Sequence, residues 1–273
     1  MTRSTIRHAV ILLAVLAFTA PALAQDDDDP AVLSLAEPDF TLVSLPTSLR
    51  LPTLKSAFRV THRFGRSLGE GDFGDVLSDL FGLDNGAVIG LEYRFGIWKN
   101  TQIGIHRSSL DKTIEFFAEY SILHQPTNPF DVAAWLSMDG TNNFQDSYSP
   151  ALGIIVSRRL GDVASVYFQP IWVNNSSPAR TELVDDNDTF IIGLGGRFRI
   201  RPTVYVVGEW APRVAGFSPV THHGAFSIEK RAGGHLFQLN FSNSFATTMG
   251  QLARGGFTSE DWYMGFNISR KFF

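Results

Sequence analysis

Ser56 and His62 are the two residues of this sequence whose types first suggest nucleophilic chemistry. They lie on the same parity of an alternating stretch, so a strand would place both on one face. A membrane-embedded lipid hydrolase could use such a pair on its lipid-facing wall. Nucleophile activation needs a hydroxyl-to-imidazole hydrogen bond of about 3 Å, however, and six residues of strand separate the two groups too far. A partner for His62 on a neighbouring strand remains open. His222 and His223 are adjacent and would point in different directions, without a carboxylate at metal-ligand spacing nearby. Asp185, Asp186 and Asp188 lack the spaced ligands of a calcium loop. The sequence therefore offers no catalytic residue, no metal site and no cofactor, and the chain reads as a non-enzyme.

A second set of charged residues has a clearer pattern. Arg59, Arg63, Glu92, Arg94, His106, Glu115, Glu119, Arg197, Arg199, Glu209 and Glu229 all fall on the polar parity of alternating segments. Opposite charges facing one another across a narrow lumen can do one of two things. They can zip it shut with ion pairs, or line a selective path for small polar solutes.

The elements that must carry these residues are strands. Between Thr113 and Ile122, one parity gives Ile114, Phe116, Ala118, Tyr120 and Ile122, and the other gives Thr113, Glu115, Phe117, Glu119 and Ser121. The same period recurs from Ala87, from Thr189, around Phe237 and in the C-terminal "WYMGFNISRKFF". About twelve strands are expected, starting near Leu54, Ala87, Thr101, Lys112, Asp131, Ser149, Ser165, Thr189, Thr203, Gly224, Gly234 and Asp261. Pattern alone does not tell a soluble barrel from one with its greasy face in lipid. Loop length does. Connections such as "WKN", "RLGDV" and "RIRP" alternate with long ones such as "GRSLGEGDFGDVLSDLFGLDNG" and "NSFATTMGQLARGGFTSE". Short periplasmic turns alternating with long external loops on an even strand number predict an all-β, transmembrane, antiparallel up-and-down barrel over residues 54–273.

Aromatic residues fit two girdles in that topology: Trp172, Trp210 and Trp262 at external strand ends, and Phe95, Trp98, Tyr120 and Phe272 at periplasmic ends. The last strand is expected to close the barrel on the first, with Phe272 as its terminal lipid-facing aromatic.

The N-terminus supplies a compartment. Arg3 and Arg7, the apolar run "AVILLAVLAFTA" and the Ala22-Leu23-Ala24 pattern predict a signal peptide over residues 1–24 and Sec-type export to the bacterial outer membrane. Residues 25–53 form an acidic, proline-punctuated periplasmic arm that either lies free or folds into the barrel. An arm in the lumen makes the closed state the default. A formal net charge of −4, more negative once Arg3 and Arg7 are removed, excludes a nucleic-acid footprint. The absence of Cys excludes disulfides, thiolate metal sites and a lipidated N-terminal Cys. The expected partners are outer-membrane lipids and the barrel-assembly machinery, with the chain a monomer.

The stretches "LPTLKSAFRVTHRFG" and "IGIHRSSLDKTIEFFAEYSIL" resemble the matching segments of a family of bacterial outer-membrane β-barrels known as a domain of unknown function. That resemblance implies a fold and a location over most of the exported chain, and no activity. The expected function is a narrow passive channel for small polar solutes or ions. The alternatives are a closed structural or surface-interaction barrel and, behind it, the lipid hydrolase.

Overall fold

The computed structural model describes residues 34–78, 86–176, 187–217, 221–256, 258 and 260–273. The predicted signal peptide, the Asp26 to Asp29 run and the residues Asp185 and Asp186 lie outside them. The strands are β1 (Ser56–Ser67), β2 (Ala87–Trp98), β3 (Thr101–Ser108), β4 (Ile114–Leu123), β5 (Asp131–Gly140), β6 (Asp146–Leu160), β7 (Ala164–Val173), β8 (Thr189–Arg201), β9 (Val204–Ala211), β10 (Arg213–Gly216), β11 (His223–Ala232), β12 (His235–Ser242) and β13 (Tyr263–Phe272). Twelve of them close an antiparallel barrel, each hydrogen-bonded to its neighbours in chain order. β1 meets β13 from Ser56↔Phe272 to Arg63↔Gly265, so the apolar C-terminal strand has no free edge. The additional strand is β10, which folds back from the β9–β11 connection and pairs with the first residues of β8.

The alternation read in the sequence becomes an inside-out distribution of polarity. In β4, Glu115, Phe117, Glu119 and Ser121 are buried, while Phe116, Tyr120 and Ile122 are exposed. Leu91, Tyr93, Leu136, Leu152, Phe168, Phe198, Val206 and Ile228 repeat the exposed apolar face around the wall. An apolar surface that continuous does not persist in water. No helix among the described residues is long and apolar enough to cross a membrane.

At one end the strands join by tight turns, which exploit residues that tolerate positive φ. Asn100 (φ 67°) turns β2 into β3, and Gly233 (φ 58°) turns β11 into β12. At the other end the long connections gather. Two segments enter the barrel from opposite ends. Residues 34–53 come in from the short-turn end and carry Leu42, Val43, Leu45 and Leu49 to full burial. From the long-loop end, the β12–β13 connection turns inward and forms a helix, Met249–Arg254, capped by the Thr248 side chain accepting from the Gln251 N–H.

Candidate functional site in the barrel lumen

Of the inward residues named from sequence, ten are buried: Arg59, Arg63, Glu92, Arg94, His106, Glu115, Glu119, Arg197, Glu209 and Glu229. Arg199 lies near the short-turn rim and is only partly buried. The charges form a chain of pairs around the wall. Glu92 receives Arg94 and lies 3.8 Å from Arg59 and 3.5 Å from His106 Nδ1. Arg94 Nη1 also stands 3.6 Å from Glu119, and its guanidinium lies 4.6 Å from the centroid of Phe117. Arg197 holds Glu229 in a fork at 2.8 and 3.0 Å. Buried pairs of this kind cost much of their attraction in desolvation, so they need hydrogen bonds on every remaining lone pair and proton. Here the N-terminal segment supplies a carbonyl to Arg59 and another to Arg197.

That segment makes a tight turn, closed by the Thr41↔Pro46 bridge and by the Leu42 N–H donating to the Leu45 carbonyl at 2.8 Å. The turn points three N–H groups, those of Val43, Ser44 and Leu45, at the Glu209 carboxylate at 2.9–3.0 Å. His223 Nε2 lies 2.9 Å from the same carboxylate and His223 Nδ1 lies 2.8 Å from Ser244 Oγ, which fixes the ring. The wall also donates to the segment's carbonyls. Arg197 donates to Thr41 (2.7 Å), Gln238 to Leu42 (2.9 Å), Asn267 (3.1 Å) and Arg59 to Val43, Gln169 to Pro46 (2.8 Å) and Gln102 to Leu49 (3.0 Å). Nearer the short-turn end, Ser165 donates to the Ala36 carbonyl (3.0 Å) and Tyr167 to Glu37 (2.6 Å). Burial pushes the Glu37 carboxyl above its ordinary value, with the Tyr167 hydrogen bond opposing the shift.

The side chains of the turn fit the wall as its backbone does. Leu42 and Leu45 lie against Gly195 and Gly193 of β8. A Cβ on Gly195 would stand 2.2 Å from Leu42 Cδ1, and one on Gly193 would stand 3.1 Å from Leu45. Ile155, Ile171, Ile191 and Val207 complete an apolar patch inside an otherwise polar lumen. The long-loop end receives the second insertion. Met249 N–H donates to Glu115 at 3.1 Å, Thr248 Oγ1 donates to Asp139 at 2.6 Å, and Ser44 Oγ of the arm donates to the Ala246 carbonyl at 3.0 Å. Arm and loop meet inside the barrel.

The outer wall carries the aromatic residues named from sequence. Trp98, Tyr120 and Phe272 are exposed at the short-turn end and Trp172 and Trp210 at the long-loop end. Phe95 and Trp262 are partly buried. Phe116 and Phe168 are exposed between the two rims, so aromatics also occupy the band itself. His62 faces outward, stacked on Phe266 at 4.7 Å and tilted against Phe64 at 4.6 Å. Its cross-strand neighbours are Phe266 and Ile89, neither of them a nucleophile, and Ser56 stands at the rim opposite Phe272 and Phe95. One motif escaped the sequence reading. Gly65, Ser67 and Gly69 have the G-x-S-x-G spacing of a nucleophile elbow. Ser67 is a buried residue at the end of β1 whose Oγ accepts the Gly69 N–H at 3.3 Å, on the opposite parity from His62.

Residues 40–272 match the family model described as "Membrane bound beta barrel domain (DUF5777)". The chain belongs to this family. Among solved structures, a NanC porin aligns over 80% of this chain and 99% of its own, with a TM-score of 0.50 and 8% identity, a likeness of fold. A triple mutant of the Rhodopseudomonas blastica porin aligns over 70% of this chain and 56% of its own, with a TM-score of 0.36 and 11% identity. No curated protein matches the chain by sequence.

The span matched in this DUF5777 barrel begins inside the arm, so it includes the turn that Glu209 holds. The residues that hold that turn were only half legible. Alternation puts Gln238 and Asn267 on the polar face, but nothing local says that their amides serve an arm about two hundred positions away. His223, set aside in the sequence as one of two adjacent histidines without a metal-ligand partner, is the first residue of β11 and fully buried.

Proposed function

We propose that this membrane barrel is an outer-membrane channel for small polar solutes, closed at rest by its own N-terminal segment. The observation that carries the reading is the way the segment is held: the wall binds it through reversible hydrogen bonds from polar side chains. Removing the turn would leave Glu209, Arg197, Arg59, Gln238 and Asn267 lining a passage. In this reading residues 1–24 direct Sec-type export, the short turns face the periplasm, residues 25–53 are the arm that enters the barrel from that side, and the long loops face outward. The barrel-assembly machinery reads the strand ending at Phe272, and the chain works as a monomer without catalysis.

Single-channel recording in planar bilayers tests the reading on the full chain. Ser48 Oγ and Ser157 Oγ lie 2.6 Å apart, so S48C/S157C locks the arm to β6 on oxidation in a chain with no other cysteine. Combined with E209Q, which weakens the grip on the turn, the oxidised protein is expected to be silent and the reduced protein to show conductance steps. Folding is checked by the different migration of unheated and boiled protein. Silence of a folded, reduced barrel at all voltages overturns the channel and leaves the alternative reading, a closed barrel presenting its external loops.

A further inference from the structure

We infer that the lumen is a binding site for short apolar peptides with a free carboxylate, and that the arm occupies it as a tethered stand-in. The inference rests on the reading of the arm as a displaceable plug. Three observations carry it. First, between Thr41 and Leu49 the wall is satisfied largely through main-chain groups of the arm: Glu209 accepts three successive N–H groups, while Arg197, Gln238, Asn267, Gln169 and Gln102 donate to carbonyls. A wall that pairs with both amide N–H and amide C=O groups matches a peptide backbone, which offers both, and matches an inorganic ion poorly.

Second, the inward face of β8 is notched at Gly193 and Gly195, and leucine side chains fill both notches. A path for hydrated ions has no use for leucine-sized apolar depressions, because apolar surface there offers nothing to replace the hydration shell. Third, Arg63 is fully buried one inward step beyond Thr61 on β1, and no carboxylate of the described residues lies in ion-pair contact with it, Glu209 acting only from farther off. Its guanidinium meets the Asn267 side chain at 2.8 Å and the His62 carbonyl at 3.2 Å, and Nε and Nη2 have no partner. A buried cation with no counter-ion in contact is costly, and a guanidinium whose Nε and Nη2 lack a partner among the described residues fits a carboxylate. The tethered arm cannot offer a chain terminus at this point; a free peptide can.

The test uses the full chain with S48C/S157C and L45D, the last substitution loosening the arm without altering the wall. The readout is the rate at which oxidant closes the disulfide. The probe is the tetrapeptide Leu-Val-Ser-Leu, the sequence of residues 42–45, with a free C-terminus. The peptide is expected to slow locking by competing for the wall. Amidating its C-terminus, or R63Q in the protein, is expected to raise the concentration needed by about tenfold, the scale of a charge-assisted hydrogen bond. A locking rate indifferent to the peptide overturns the inference. So does slowing that is equal for the acid and the amide and unchanged by R63Q. Because locking is read without current, failure of the peptide site and failure of the channel are separate results.

Discussion

Glu209 grips the Ser44 N–H with both carboxylate oxygens, at 2.9 and 3.0 Å, from a residue 165 positions away. Hydrogen bonds to a charged group contribute ~1.5–3 kcal/mol each, against about 1 for neutral pairs. E209Q keeps the size of the side chain and removes the charge that serves three amides at once. Amide exchange of Val43, Ser44 and Leu45 is expected to accelerate by about ten- to a hundredfold, with the barrel strands unchanged. Equal acceleration in the strands would mean that Glu209 supports the barrel itself.

Gly195 permits the docked arm sterically, as Glu209 does electrostatically. A Cβ there would overlap Leu42 Cδ1, and overpacking of this kind costs ~1–3 kcal/mol. G195V should expel the turn while leaving β8 paired with β7 and β9. The expected result is faster exchange at Leu42 to Leu45 with an unchanged unheated gel band. A loss of that band would instead make Gly195 necessary to the wall.

Arg197 and Glu229 are both fully buried and bonded as a fork, and Arg197 also holds the Thr41 carbonyl. Removing one partner strands the other charge, at ~3–5 kcal/mol, whereas removing both leaves none. R197Q should lower the denaturant midpoint of the folded barrel in detergent more than R197M/E229M does. A double variant less stable than the single one would show a pair that is net stabilising.

The outward wall answers to a different solvent. Leu136 is 57% exposed in the middle of β5, between Ala118 and Leu152 on the neighbouring strands. L136R places a charge in the apolar band, for which ~2–4 kcal/mol is the depth-dependent cost in such barrels. Folding into vesicles should fall accordingly. The adjacent inward substitution S137A should cost far less, since Ser137 is buried on the lumen side and gives up only its hydroxyl contact with Glu115. Insensitivity to L136R would contradict a lipid-facing β5.

These contrasts mark what was legible. Glu115 and Glu119 on one parity and Phe116 and Tyr120 on the other are a local pattern, and the barrel, its strand starts and its inward charges follow from it. β10 escaped because four residues in a long connection show no period. The occupied lumen escaped for a different reason. Leu42, Val43 and Leu45 are a short apolar run between prolines, and only Glu209, Gly195 and Gln238, all far along the chain, determine where that run goes. The arm was named as able to fold inward, but the contacts that bring it there are long-range and invisible to spacing.

Glu37 makes the arm sensitive to pH. Buried beside Tyr167, its carboxyl titrates above the ordinary value, whereas on an undocked arm it returns to that value. Docking therefore takes up a proton. Its contribution is full below the ordinary carboxylate pKa and is lost as pH rises through the raised, docked one. The arm should be held more tightly in mild acid than at neutral pH. Amide exchange at Val43 to Leu45, compared between wild type and E37Q at each pH so that intrinsic exchange cancels, measures this. The two proteins should converge in acid, with the wild type progressively less protected than E37Q as pH rises. A constant offset across the range would show that Glu37 does not change protonation on docking.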